Sequence, residues 1–399
     1  MHVLINGCGI AGLTLAHGCK RHGIPYSLFE KDPSASARTQ GWSLTLHFGL
    51  EPLERMIGPE LSKRVPETVI DPRINQAAGH FTHIDGGTGK VRHSIPPTKR
   101  LQQVDRKKLR NLLMNGLDIQ WGKELKTFKN TEDGKVTVEF TDGTSATGDI
   151  LIGADGSGST VRKILNGLDL EQQPVTLFGA TRHFTADQAA PFDGRFLFHA
   201  TEPVNNTFLW YGVQTIHAEP DGRESLEAFV AISWLSEGGK AEARLPTDHT
   251  GRVKLMKERA QAFAEPLRSI ITDIPDDLQT TARIHVADYP CHPWANRGVA
   301  TLAGDAAHAM TMYRGEGANH GVLDAALIVD QLIEVQAGRK TKVEALRDYE
   351  EDLFSRAPAA VLRSRQAALD AHSWVSITPD SPLVGPRVVP DVLKDTQNV

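Results

Sequence analysis

The sequence predicts an α/β fold: a parallel sheet with glycine-rich turns at the ends of its strands, carrying an inserted, mostly antiparallel second sheet. Three observations lead there. Gly7-Cys8-Gly9-Ile10-Ala11-Gly12, Gly153-Ala154-Asp155-Gly156 and Gly304-Asp305 each follow a short apolar run of strand type. The first opens an αβ alternation, with a helical pattern and then a second strand. Between the second and third lies a stretch of alternating, aromatic-containing runs set apart by turn residues.

Taken in order, His2 to Asn6 reads as a buried strand and Ala11 to His22 as a helix closed by Gly23, with Pro25 beyond. Tyr26 to Glu30 is the second strand. Residues 69–97 are irregular, and Val104 to Arg110 opens a helix, which fits an excursion from the first unit and a return. Val136–Phe140 alternates, and Asp149–Ile152 runs into the middle motif. Leu177–Phe184, Arg195–His199, Thr207–Val213 and Ala228–Leu235 form the second sheet. Ala300–Ala303 leads into Gly304-Asp305, and an apolar helix begins near Ala318. Val343–Leu353 is amphipathic, Pro358 starts or kinks a further helix to about His372, and the last 25 residues read as loose. The expected division is a cofactor domain from 1–72, 100–170 and 285–340, an excursion at 73–99, a substrate sheet domain at 171–284, and C-terminal helices and tail at 341–399.

Composition narrows the class. A chain of 399 residues with 40% hydrophobic content fills sizeable cores, and 44 basic against 49 acidic residues leave a net charge of −5. No run of like charges offers a nucleic-acid tail. Three cysteines, Cys8, Cys19 and Cys291, have no metal spacing and suggest neither a disulfide framework nor a metal site. Without a signal pattern or an apolar stretch of about 20 residues, no integral membrane segment is expected. The expected setting is the cytoplasm, as a monomer or homodimer.

The chemistry follows from the turns. Gly7, Gly9 and Gly12 let a pyrophosphate approach the start of a helix at Ala11, whose free N–H groups bind phosphate oxygens. Glu30, followed by Lys31, ends the second strand where a carboxylate meets the hydroxyls of an adenosine ribose. Asp305 stands where it can accept from a ribityl hydroxyl. Gly315 and Gly317 let the backbone approach a flavin ring, and the helix start at Ala318 and Asn319 faces its pyrimidine edge. Cys8 reads as a packed residue and His308 as a hydrogen-bonded spacer. The three elements in this order indicate a site for flavin adenine dinucleotide (FAD).

The set Gly7–Gly12, Asp149–Arg162 and Gly304–Asn319 resembles the class A flavoprotein monooxygenases, the aromatic hydroxylase family. That resemblance implies a glutathione-reductase-like FAD domain with the second sheet facing substrate. It also implies NADPH or NADH as a transient reductant, dioxygen as co-substrate, and a flavin C4a-hydroperoxide that hydroxylates or epoxidises an aromatic or secondary-metabolite substrate. By the same resemblance Asp155 helps hold the flavin, Arg106 lies near the diphosphate, and Arg38 sits beside the cofactor. Met312 replaces the proline that relatives usually carry, in a loop whose carbonyl orients the oxygenated flavin. Gly41–His47 looks like short fungal biosynthetic members. His47 and Tyr211 are candidates to orient or deprotonate a substrate hydroxyl, and Arg182, His199, Trp210 and Tyr313 to line the pocket. A flavin reductase or isoprenoid cyclase, and a non-catalytic lipid-binding or escort protein, share the first unit as alternatives.

Overall fold

The computed structural model describes residues 1–37, 43–71, 81–95, 100–192, 194, 197–238, 244–295 and 298–393. Its centre is a five-stranded parallel sheet in which Val3–Asn6 lies between Ile150–Gly153 and Tyr26–Glu30, with Ala300–Leu302 and Ile119–Trp121 at the two edges. Of the three inner strands, Val3–Asn6 and Ile150–Gly153 are buried along their length, as a parallel sheet covered on both faces requires. Registers matter most here. Asn6 pairs with both Gly153 and Phe29, and Gly153 with Leu302, so the carboxyl ends of four strands stand level. All three glycine-containing turns therefore emerge at one edge, the usual ligand edge of an open α/β sheet.

One face of this sheet is covered by the helices Ile10–Arg21 and Gly317–Gln336, which pack closely together. Close packing needs small residues. A β carbon at Gly304 would lie 3.2 Å from the Ala11 Cβ, and Gly304 holds φ +62°, a left-handed value that glycine adopts freely. A three-stranded antiparallel sheet, Leu125–Asn130, Val136–Phe140 and Ser145–Gly148, contributes Leu125, Val138 and Phe140 to the same core.

The inserted sheet has seven strands, in the order Ala282–Asp288, Glu171–Phe184, Glu224–Leu235, Phe208–Ala218, Leu197–Thr201, Phe81–Asp85 and Val91–Ile95. All neighbours are antiparallel except Leu197–Thr201 with Phe81–Asp85. The irregular stretch after residue 69 thus supplies the last two strands. One face buries Phe178, Phe198, Tyr211 and Val230 against the helices His249–Arg259 and Leu267–Thr272. The other carries Leu177, Phe208 and Phe229, and packs with Tyr313 and the end of the C-terminal helix.

Two expectations about the C-terminus are corrected. A single helix spans Lys342–Asp370 with Pro358 inside it, and no second helix starts there. Ala357, Ala360, Val361 and Ser364 are all buried around that proline, so tertiary packing holds the helix through it. Nor is the tail loose through Leu393. Ile377 and Leu383 are fully buried, and Ser381 Oγ donates to Asp370 Oδ2 at 2.5 Å.

Beneath the Gly304 turn lies a buried charge cluster. Asp324 Oδ2 accepts from the Gly304 N–H (2.7 Å) and bonds His308 Nε2 (2.6 Å), while Asp324 Oδ1 accepts from Arg356 Nη2 (2.6 Å). Burial alone would raise the Asp324 carboxyl, but His308 and Arg356 hold it below the usual carboxylate range. A depressed carboxyl stabilises the fold above its unfolded value and loses that contribution as pH falls through the folded one. Asp324→Ala should leave Arg356 underpaired and lower stability by about 3–5 kcal/mol. Thermal unfolding at neutral pH reads the loss, and the gap between variant and parent should narrow on acidification below about pH 4.

Candidate functional site

At the ligand edge, Gly7 holds φ +111° and donates to Phe29 O at 2.8 Å. A β carbon there would fall 2.3 Å from the Ala154 carbonyl oxygen, and one at Gly12 would fall 2.0 Å from Gly7 O. At Gly9 nothing lies within 4 Å of that position, so this side of the turn opens onto the cleft. The helix Ile10–Arg21 starts at Gly9 with no side chain capping it. Its first N–H groups are left for an anion. Glu30, 8% exposed, accepts from Cys8 N–H (2.8 Å) and Asp32 N–H (3.1 Å), and each oxygen keeps acceptor capacity for a hydroxyl. Lys31 is exposed beside it. The Cys8 thiol is buried and pushed up by burial and by Glu30, which suits a packed residue.

Arg110 is a residue the sequence reasoning missed. Its Nε donates to Cys8 O (3.0 Å) and Nη1 to Ala35 O (3.3 Å), so it ties the glycine turn to the loop after Glu30. The basic run 106–110 carries no signal that separates this arginine from its neighbours. Arg106 heads the helix Arg106–Met114, and its charge reaches Asp305. Arg38 lies outside the described residues.

Asp155 turns out to bind protein. Its oxygens accept from Asn6 Nδ2 (3.1 Å), Ser159 Oγ (2.5 Å) and the Thr160 N–H (2.9 Å), joining the first strand to the start of the helix Thr160–Asn166. Arg162, fully buried, donates to Ser157 O (2.6 Å) and Ala306 O (3.2 Å), linking the middle motif to the last one.

Asp305 differs from both. Its carboxylate opens onto the cleft, and among the described residues it accepts no hydrogen bond. The surrounding protein raises its carboxyl, opposed by the charges of His308 and Arg106. A β carbon at Gly317 would lie 3.6 Å from Asp305 Oδ1, so the carboxylate stands beside the start of the helix Gly317–Gln336. No side chain caps that helix either, and Gly315, Gly317 and Ala318 leave its first turn open. The Asn319 side chain is not available to a ligand as expected. It is fully buried, accepts from the His47 N–H (2.8 Å) and Gly49 N–H (3.2 Å), and donates to Thr45 O (2.9 Å). Asn319 thereby fixes the His47 turn against the helix.

His47 faces Glu316, Arg387 and Arg314, and both its ring nitrogens lack a hydrogen-bond partner among the described residues. Burial pushes its imidazole down to about 4, so it is neutral at pH 7 and positions a hydroxyl better than it deprotonates one. Met312 begins the 3-10 turn Met312–Arg314, and its carbonyl accepts from the Gly315 N–H at 3.1 Å, turned into the loop. The Tyr313 hydroxyl also points inward. His372 Nδ1 bonds Ala368 O (2.7 Å) and must donate there, so its Nε2 accepts from Ser233 Oγ (2.8 Å), which in turn accepts from Tyr313 (3.0 Å).

On the inserted sheet, alternation separates the candidates. Trp210 and His199 lie beside Phe81, with ring centroids 5.7 and 4.5 Å away, on the face toward the cleft. His199 Nδ1 bonds His83 Nδ1 at 2.7 Å, and burial drives both imidazoles to the neutral form. Tyr211 points the other way, stacked on Phe198 at 4.7 Å inside the opposite core. Arg182 is on that face too, donating to Ser269 O (2.9 Å) and Ile270 O (2.8 Å) on the helix Leu267–Thr272. Neither can touch a ligand in the cleft, because a residue's neighbour along a strand faces the opposite side.

The assembled groups suit one kind of ligand: glycine-lined helix starts for a diphosphate, Glu30 and Asp305 for hydroxyls, and an aromatic wall beyond. Residues 1–364 match the family model described as FAD binding domain. Over 97% of this chain and 95% of its own length, a protein of Arthroderma benhamiae named "Probable FAD-dependent monooxygenase" is 37% identical. The FAD-dependent monooxygenase dbaB of Emericella nidulans is 39% identical over 83% of this chain and 86% of its own. Among solved structures, 2,6-dihydroxypyridine-3-hydroxylase of Arthrobacter nicotinovorans superimposes with a TM-score of 0.75 at 19% identity, covering 97% of this chain and 96% of its own. HpxO of Klebsiella pneumoniae, complexed with FAD and uric acid, gives a TM-score of 0.72 at 20% identity, with 96% and 90% covered. Motifs, fold and relatives agree, and the chain belongs to the FAD-binding-domain family of class A flavoprotein monooxygenases, among its short fungal biosynthetic members.

Proposed function

We propose that this enzyme takes electrons from NADPH or NADH and uses dioxygen to hydroxylate or epoxidise a largely apolar, electron-rich aromatic substrate. The observation that carries the proposal is the exposed Asp305 carboxylate, which accepts no hydrogen bond among the described residues and stands beside an uncapped helix start; Phe81, Trp210 and Met312 supply an apolar wall. When bound, FAD supplies the electron transfer and the activation of dioxygen. The chain's share is binding, orientation and exclusion of water. The N–H groups at Gly317 and Ala318 favour negative charge beside them by about 0.3–1 kcal/mol. The wall keeps the cleft apolar, and neutral His47 offers a ring nitrogen to a substrate hydroxyl. The named ring substrate of the Arthrobacter hydroxylase, on the same fold, supports a flat aromatic ligand.

Incubation with candidate aromatic substrates under labelled dioxygen tests the reading. Product should gain one labelled oxygen atom, and substrate should accelerate NAD(P)H oxidation in stopped flow. Unlabelled product, or equal rates with and without substrate, would count for a reductase or cyclase.

Asp305→Ala should weaken FAD binding by about 1–3 kcal/mol, the range for a lost hydrogen bond to a charged group. Fluorescence titration of the apoprotein measures it, and unchanged affinity would reduce Asp305 to a turn residue. Met312→Pro should fold and retain FAD. Thr311 already has ψ 156°, the extended form a residue before proline needs, and the first position of a helical turn requires no N–H. A colourless or unfolded Met312→Pro protein would show that the turn follows another path in solution.

A further inference from the structure

We propose that Arg387, held in the cleft by the C-terminal segment, is a substrate-anchoring residue that selects ligands bearing an anionic oxygen, such as a phenolate, enolate or carboxylate, over uncharged isosteres. The proposal rests on the aromatic-substrate reading above and adds the charge of the substrate to it.

The first observation is the path of the segment. Leu383 and Val384 pack with Tyr313 and Ala367 in one cluster, while Val389 and Leu393 pack beside Phe48 and Leu323 in another. Arg314 donates to the carbonyls of Pro382 and, at 3.1 Å, Pro386. Arg387 is therefore fixed from both sides, between the aromatic wall and the His47 turn.

Its guanidinium reaches inward, 6.0 Å from the centroid of Phe81, the ring that touches His199 and Trp210. Its charge bears on both His47 and His199.

The second observation is charge balance. Arg314 pairs with Glu316 through Nε–Oε2 at 2.7 Å and Nη2–Oε1 at 3.3 Å, with both side chains buried. Arg387 makes one hydrogen bond among the described residues, from Nη1 to Gly385 O at 3.0 Å, and no ion pair. Among the described residues two guanidinium groups thus share one carboxylate, which leaves a net positive charge at the half-buried Arg387. A partly buried cation without a carboxylate of its own is underpaired, and an anionic ligand would supply the counterion. Burial and the like charge of Arg314 push the Arg387 guanidinium down to about 10, as expected for a cation short of partners.

The third observation is the unmatched histidines. Both ring nitrogens of His47 and Nε2 of His199 are buried without hydrogen-bond partners among the described residues. In the His83–His199 pair one Nδ1 carries the shared proton, so the acceptor ring bears its proton on Nε2. Neutral imidazoles within reach of the guanidinium charge offer both donors and acceptors to a hydroxylated ring with one ionised oxygen.

The test uses the FAD-loaded protein, with loading checked first from the visible spectrum, so that a failure of the flavin reading is seen separately. At saturating FAD and neutral pH, 2-naphthoate and 2-naphthamide are titrated against the flavin absorbance. The naphthoate should bind about 10- to 100-fold more tightly, the worth of a hydrogen bond to a charged partner. Arg387→Gln should remove the preference, and Arg387→Lys should keep part of it. Equal affinity for the two, binding of neither, or a preference that survives in Arg387→Gln overturns the proposal. So does an Arg387→Gln protein whose only defect is a raised KM for NAD(P)H, which would assign the guanidinium to the reductant.

Discussion

The carbonyl of Ala154 passes so close to Gly7 that no β carbon fits between them, and the geometry of the ligand edge depends on that contact. It sets the first turn against the second, while Gly12 lets the helix Ile10–Arg21 start directly on the Gly7 carbonyl. Parallel register makes the contact possible, because Asn6 and Gly153 stand opposite each other at the ends of adjacent strands. Arg162 then reaches from the middle turn to Ala306 O, and the third turn is drawn into the same edge. Segments far apart in sequence become one binding surface through backbone proximity, with few side chains exposed to a ligand.

Within that surface the carboxylates divide by what already satisfies them. Asp324 is closed off by His308, Arg356 and the Gly304 N–H, and Asp155 by Asn6, Ser159 and a helix start. Both hold the protein together. Glu30 is intermediate, with one N–H on each oxygen, and Asp305 has no protein donor among the described residues. The last two keep acceptor capacity for a ligand rich in hydroxyls, whereas a buried carboxylate that is already fully bonded gains little from another donor.

Much of the fold was legible, because glycine turns after apolar strands carry their meaning locally. Four strands of the parallel sheet, the helices that follow the first and third glycine turns, and the three motifs follow from periodicity and spacing, whereas the edge strand Ile119–Trp121 was not expected. Side-chain direction was not legible. Tyr211 and Arg182 were plausible beside Trp210 and His199, yet which face of the inserted sheet meets the cleft is decided by register and by the helices His249–Arg259 and Leu267–Thr272 on the other face. Asn319 was read as a ligand donor, whereas a turn far earlier in the chain takes its donor and acceptor. Arg387 stood in a proline-rich stretch that looked unstructured, and only the burial of Leu383 and Val384 shows that the stretch is packed. In each case the deciding neighbour is remote in sequence.

The imidazoles near the aromatic wall do not titrate near neutrality. Burial drives His47 to about 4 and His83 to about 3, and His199 well below its ordinary value, so these imidazoles are neutral throughout the physiological range. The arginines remain charged. Polar character near the aromatic wall therefore consists of fixed cationic charge from Arg387 and Arg314, one compensating Glu316, and neutral imidazoles. Such a set cannot readily take a proton from a phenol at pH 7, because a base with pKa near 4 is too weak. It can stabilise an oxygen anion once formed, by proximity of the guanidinium and a hydrogen bond from an imidazole N–H. An ionised substrate is more electron-rich at its ring carbons, and on this geometry the protein favours that form by electrostatics, without requiring a catalytic base.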